Sequence, residues 1–128
     1  MNTEQIIGKN RIVITQGSNY KITVELYYST GVRFADPLAT VKAYAKYTLS
    51  QQNYDIELTG HYTNSSEGPV WVFLFTPDMT KNLTPGWYYF EIRVDGTEDN
   101  ENYSYVALDY YENDFVIEPT VFTEPVVT

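Results

Sequence analysis

From Tyr20 to Tyr28 large side chains fall at every second position: Tyr20, Ile22, Val24, Leu26 and Tyr28 alternate with Lys21, Thr23, Glu25 and Tyr27. Neighbouring side chains of a strand point to opposite faces, so this period of two puts five large residues on one side of a sheet. A helix would scatter the same residues around its circumference, and the segment is therefore read as β. The pattern recurs along the chain. Trp87 to Val94 places Tyr88, Phe90, Ile92 and Val94 on one face, read as core, and Trp87, Tyr89, Glu91 and Arg93 on the other. Val41 to Tyr47 alternates as well, and Asp55 to Tyr62 more weakly. Arg11 to Thr15, Tyr103 to Asp109 and Asp114 to Ile117 are further short strand-like runs. Val70 to Phe75 is apolar at every position, which predicts a strand covered on both faces.

Turn signals separate these runs. Gln16-Gly17-Ser18-Asn19, Ser29-Thr30-Gly31 and Asp95-Gly96 read as turns, and the polar stretch Thr63 to Pro69 reads as a loop. Thr76-Pro77-Asp78-Met79 starts a brief helical turn, with Thr76 as cap, Pro77 at the first helical position and Asp78 at the positive end of the dipole. Short strands spaced by turns, with no long helix and no repeat, predict an all-β, immunoglobulin-like antiparallel β-sandwich of about 7–8 strands; a partly closed barrel is the alternative. Leu83-Thr84-Pro85-Gly86-Trp87-Tyr88 favours the sandwich, because a Tyr at the start of a late strand can hydrogen-bond back across the corner. The sandwich spans residues 11–119, flanked by extended arms at 1–10 and 120–128.

At 128 residues the chain supports one core, burying roughly two-thirds of the surface of its unfolded form. Its excess of 13 Tyr with 6 Phe and 2 Trp suits pleated surfaces and protein interfaces alike. With no cysteine there is no disulfide, thiol nucleophile or thiolate metal site. The N-terminus lacks the basic start and apolar run of a signal peptide, and no stretch has the length of a membrane span, so the chain reads as unexported. The net charge of −9 is concentrated: from Val94 to Thr128 there are nine acids and no Lys or Arg. Such a surface repels phosphate backbones and anionic lipid, which argues against nucleic acid and membrane and for a basic protein surface as partner.

Chemistry-bearing motifs are sparse. His61 is the single histidine, standing between Gly60 and Tyr62 beside a loop, and it is read as an exposed edge residue rather than a catalytic base. Carboxylate pairs occur by chance among 17 acids, so glycosidase-like acid pairs carry no signal, and the chain is read as no enzyme and without cofactor. The acidic run Asp95 to Asn102 offers oxygen ligands for Ca²⁺ but lacks the EF-hand order, and it reads as a solvated tip, with no metal site. Candidate interface residues are Trp87 and Tyr89, which are aromatic on the polar-looking face of their strand, and Tyr103 and Tyr105, which form an aromatic cluster with Tyr110 and Tyr111 in the acidic third. Val121, Phe122, Val126 and Val127 join them, being too apolar for an idle tail and suited to adding a strand to a neighbour's sheet edge.

The layout resembles that of small virion structural proteins of tailed bacteriophages, similar in pattern to the N-terminal domain of phage baseplate upper proteins. The resemblance is carried by Ile12-Val13-Ile14-Thr15-Gln16-Gly17, Glu25 to Gly31, Leu83 to Ile92 and the closing Asp114-Phe115-Val116-Ile117-Glu118-Pro119. Phe34-Ala35-Asp36-Pro37-Leu38-Ala39 stands where the family often carries an Asp-Leu-Thr-Gly-like segment. The resemblance implies a virion location and docking onto other virion proteins, the major capsid protein or tail and neck proteins, as a decoration or cement subunit or a neck, tail or baseplate accessory; a homo-oligomer is compatible with it. A carbohydrate- or host-surface-binding β-sandwich module is the alternative. Docking of the acidic third onto a basic protein should weaken as ionic strength rises from about 0.1 to about 1 M, because the screening length falls from about 10 to about 3 Å. Salt-insensitive association, measured by co-sedimentation, would instead indicate an apolar contact.

Overall fold

Period-two segments become strands throughout the part of the chain that the computed structural model describes, residues 3–6, 11–28, 30–66, 68–108 and 114–121. In chain order they are β1 (Thr3–Ile6), β2 (Arg11–Thr15), β3 (Tyr20–Tyr28), β4 (Thr40–Lys46), β5 (Ile56–Thr59), β6 (His61–Ser65), β7 (Gly68–Phe75), α1 (Pro77–Thr80), β8 (Gly86–Glu98), β9 (Glu101–Leu108) and β10 (Asp114–Glu118). They assemble into two curled sheets in a sandwich-like arrangement. One sheet has the order β1-β3-β7-β6, the other β2-β10-β8-β4-β5, with β9 joining β8. In the second sheet β4 lies along one edge of β8, while β10 and β9 share the other, opposite the start and the end of β8 respectively.

The inner faces are those the alternation marks. Ile22, Val24 and Leu26 of β3 and Trp71, Phe73 and Phe75 of β7 meet Val41, Ala43 and Ala45 of β4 and Tyr88, Phe90, Ile92 and Val94 of β8 in one buried cluster, with Phe115 and Ile117 of β10. Aromatic contacts run through the core: Phe75 of the first sheet meets Phe115 of the second with centroids 6.0 Å apart, Phe90 stacks on Phe115 within its own sheet at 4.5 Å, and Phe34 stacks on Trp71 at 5.6 Å. Arg33 fastens the β3–β4 connection, its Nε and Nη2 donating to the Pro69 carbonyl at 3.0 and 2.9 Å while its guanidinium pairs with Glu25 at 3.4 Å.

Several local features differ from the sequence expectations. Thr3–Ile6, inside the segment read as an N-terminal arm, pairs antiparallel with β3. Among the described residues β2 pairs with β10 in parallel, whereas the other pairs of named strands are antiparallel, and the opening strands β1 and β2 divide between the two sheets. Asp55 to Tyr62, read as one strand, splits at Gly60, where the chain leaves β4 for β7. Gly60 lies against the Phe73 ring, and a Cβ there would come within 2.8 Å of it, so only glycine lets the crossover pass this close. Part of the stretch Thr63 to Pro69 read as a loop is strand, since Thr63, Asn64 and Ser65 pair with Val70, Pro69 and Gly68. β6 is an edge strand with polar residues on both faces, so no alternation betrays it.

The outer face of β7 is not covered along its length as expected. Val70 is buried, but Leu74 is 49% exposed, because β6 ends its pairing at Val72 and leaves Leu74 without a neighbour strand on that side. Thr76 holds the cap position of α1 without a side-chain capping bond, since the Met79 N–H is taken by its own backbone carbonyl at 3.1 Å. The hairpin turn expected at Asp95-Gly96 lies at Asp99-Asn100, whose φ values of 52° and 66° make a two-residue turn between the paired Glu98 and Glu101.

The corner between β7 and β8 is tied down by polar groups. Tyr88 Oη donates to the Thr84 carbonyl at 2.7 Å, as the corner motif predicts. The buried Thr80 hydroxyl accepts the Gly17 N–H at 2.9 Å, and Gln16 Nε2 donates to the Leu83 carbonyl at 2.6 Å. Replacing Tyr88 with Phe keeps the ring and removes one bond, so stability should fall by about 1 kcal/mol. Urea unfolding should show a lower midpoint at an unchanged slope. An unmoved midpoint would mean the corner bond has no net worth.

Candidate functional site

The pleat of β8 decides what the second sheet shows to solvent. With Tyr88, Phe90, Ile92 and Val94 inside, Trp87 and Tyr89 stand outside, 57% and 40% exposed. Trp87 is cross-strand partner to Val116, which shares the outer face yet is only 8% exposed. The candidates from the acidic third lie elsewhere. Tyr105 and Tyr103 pair with Val94 and Gly96, so their side chains belong to the inner side of the sheet, opposite Trp87 and Tyr89. Tyr103 packs edge-on against Phe34 at 6.4 Å and beside Tyr105 at 5.7 Å, and its hydroxyl donates to Asp36 Oδ2 at 3.4 Å. It closes one end of the core. Val121 is fully exposed, while Phe122, Val126 and Val127, like Tyr110 and Tyr111, lie outside the described residues.

What the fold gathers beside Tyr89 was not apparent from the local pattern. Strand register sets Tyr44 opposite Glu91 and Lys46 opposite Tyr89, so two aromatics and two opposite charges occupy the corners of a square on the outer face. Directly opposed residues have Cβ atoms about 5 Å apart. The loop after β4 raises Leu49 and Tyr54 beside this square, and the six side chains line an open groove of about 200 Å³. Tyr54 leans on Tyr44 with centroids 4.6 Å apart and planes tilted by 44°. Lys46 Nζ sits 5.2 Å from the Tyr54 centroid and donates to the Gln51 carbonyl at 2.9 Å. Burial, and then the nearby Glu57 carboxylate, push the Tyr44 phenol up from its usual value.

Polar side chains hold the loop in shape. Gln51 Nε2 donates to the Asn53 carbonyl at 2.9 Å and to Asp55 Oδ2 at 2.8 Å, while its Oε1 accepts the Thr48 N–H at 3.0 Å. Asp55 Oδ2 also accepts the Tyr47 N–H at 2.7 Å. The wall that carries Tyr54 is thus pre-formed, which lowers the ordering cost of any ligand it meets.

A larger concavity of about 690 Å³ opens beside the β8–β9 hairpin, where Asp36 and Asp95 flank Gly96 and Tyr103. Among the described residues no three His, Cys, Asp or Glu side chains are grouped to hold a metal ion. His61 is exposed on β6, on the outer face of the other sheet, and the fold does not bring it to the groove. Among the described residues no helix is long and apolar enough to cross a membrane. Compared with known protein families and with curated proteins, the chain matches none at a significant level.

Two outcomes test the packing behind this face. Gly96 lies directly under the Tyr103 ring, where any Cβ would overlap the phenol. Gly96→Ala should therefore destabilise the fold by about 1–3 kcal/mol, as overpacking does, and a variant as stable as the parent in chemical unfolding would show that Tyr103 moves aside freely. Tyr103 and Tyr88 are both pushed up to about 12, mainly by burial, with Asp36 next for Tyr103 and Asp55 next for Tyr88. The unfolded phenols ionise near 10.0, so above that pH the unfolded state loses protons that the folded state keeps. Stability should be unaffected by these groups below pH 10 and decline between about 10 and 12. In Tyr103→Phe the decline, followed by unfolding at fixed urea, should be shallower.

Proposed function

We propose that this chain is a non-catalytic, immunoglobulin-like docking module of a tailed-phage virion, joining other virion proteins as a capsid decoration or cement subunit or as a neck, tail or baseplate accessory. The observation that carries the docking role is the pair Trp87 and Tyr89, large aromatics held out to solvent by the central strand of the six-stranded sheet. Rigid aromatic side chains of this kind supply much of the binding energy at protein interfaces. The virion setting is supported by the resemblance of Ile12 to Gly17, Glu25 to Gly31 and Leu83 to Ile92 to small phage structural proteins. The immunoglobulin-like assignment is supported by the strand order. The sheet β1-β3-β7-β6 follows the ABED order, and β10-β8-β4 within the six-stranded sheet follows GFC, with β2, β5 and β9 as added strands. The Tyr88 corner at the start of β8 supports it too.

A second reading, a carbohydrate- or host-surface-binding module, is favoured by one specific observation, the tyrosine-lined groove that includes Tyr89. The first reading is tested on particles of the encoding virus. The chain should be found in purified virions by mass spectrometry, and recombinant Trp87→Ala/Tyr89→Ala should bind particles lacking it at least about tenfold more weakly than the parent. Wild-type occupancy by the double variant would remove this face from the contact, and absence of the chain from virions would end the virion reading.

A further inference from the structure

The groove on the outer face of β4 and β8 combines three features that together specify a ligand chemistry. Its floor and wall are aromatic, with Tyr44 and Tyr89 on adjacent strands and Tyr54 rising beside them, 51% exposed. Aromatic faces carry partial negative charge and attract weakly positive C–H groups laid flat on them. Its polar members are Lys46 and Glu91, and beside it Arg93 pairs with Glu91 at 3.3 Å and Glu57 stands near Tyr44, so the groove and its margin hold two cations and two carboxylates, donors and acceptors without net charge. Its volume, about 200 Å³, is below the ~300–1,000 Å³ of clefts that enclose drug-sized ligands, and it is open to solvent. A ligand matching all three has one apolar C–H face, a rim of hydroxyls, no formal charge and a ring-sized unit that continues outward into solvent.

We infer that the groove is a subsite for one pyranose ring of a neutral oligosaccharide whose hydroxyls are equatorial, so that its axial C–H groups form a flat face for Tyr54 and Tyr89. This rests on the ligand-module reading above. Glu91 accepts and Lys46 donates hydrogen bonds at the ring edge, and Gln51 and Asp55 keep the Tyr54 wall in place before the sugar arrives. The groove has no surplus cation to hold a uronic or sialylated chain, which leaves neutral ones.

The test is an amide-resolved NMR titration of the ¹⁵N-labelled full chain with cellopentaose, chitopentaose and maltopentaose, each to roughly 10 mM, a range that detects millimolar affinity. Saturable shifts are expected with cellopentaose and chitopentaose at residues 44–55 and 89–91. Tyr54→Ala and Tyr89→Ala should each weaken binding about fivefold, the loss of one stacking contact, while keeping a dispersed spectrum. Leu74→Ser, on the other sheet, should bind like the parent. Saturable shifts that map away from the groove, or that survive Tyr54→Ala unchanged, would overturn the subsite and leave the ligand-module reading standing. Absence of saturable shifts with all three sugars would overturn both.

Discussion

Burial of four side chains on one strand governs both halves of this molecule. Tyr88, Phe90, Ile92 and Val94 are each almost wholly removed from water and pack on Phe115 and on the inner face of the opposing sheet. At roughly 25 cal/mol per Å² of apolar surface, residues of this size contribute about 1.5–3 kcal/mol each, so a register slip of β8 is strongly disfavoured. The same slip would bring Trp87, Tyr89, Glu91 and Arg93 inside, adding an unaffordable desolvation of two charges. The pairings Tyr44 with Glu91 and Lys46 with Tyr89 inherit this certainty. The outer face is therefore as well defined as the core that fixes it.

The abundance of tyrosine follows from three separate uses of the residue. At Tyr88 and Tyr103 the ring serves the core and the hydroxyl finds a partner at its margin, in the Thr84 carbonyl and the Asp36 carboxylate. At Tyr27 the hydroxyl donates to Glu25 at 2.9 Å, completing the Arg33 clamp, and that bond to a carboxylate raises the phenol above its usual value. At Tyr44, Tyr54 and Tyr89 the rings form a surface that remains partly open to water. Phe would serve the first use at the cost of one bond, but it would make the third surface sticky without direction.

Much of this was legible in the sequence where a local period carries the information. β3, β4 and β8 announce their inner faces by alternation, and Pro85-Gly86-Trp87-Tyr88 announces the corner. Features set by long-range register were not. Nothing near Tyr44 reveals that Glu91 will stand opposite it, and Tyr54 enters the groove only through a loop whose shape depends on Gln51 and Asp55. Gly96 misled because a glycine after an acid is a turn signal, whereas here it makes room for a ring across the strand. Tyr103 is placed in the same way: its cross-strand partner Gly96 sets it on the inner side of the sheet, which its chemistry alone does not reveal. An edge strand such as β6, polar on both sides, leaves no local trace beyond its neighbours' need for hydrogen bonds.

Charge and aromatic surface are separated along one strand, β8. β8 begins with Trp87 and Tyr89 and ends at Asp95 and Glu98, with Asp99 and Glu101 in the turn beyond. At about 3.3 Å per residue Glu98 stands roughly 35 Å along the strand from Trp87, several screening lengths away at physiological salt, whereas Asp95 is only about 13 Å from Glu91. The carboxylates of the turn therefore leave contacts at the groove alone, Asp95 acts only as a minor influence on Tyr44, and Lys46 and Glu91 set the local polarity. On the docking reading proposed above, acidic residues at a distance act on approach to a basic surface and raise the rate of encounter, while the aromatics, once covered by a partner, act on residence. A domain that met its partner through the acidic tip alone would be held by exposed charges worth little each. On the same reading the rigid aromatic end supplies what they cannot, so its geometry rather than the net charge would set affinity.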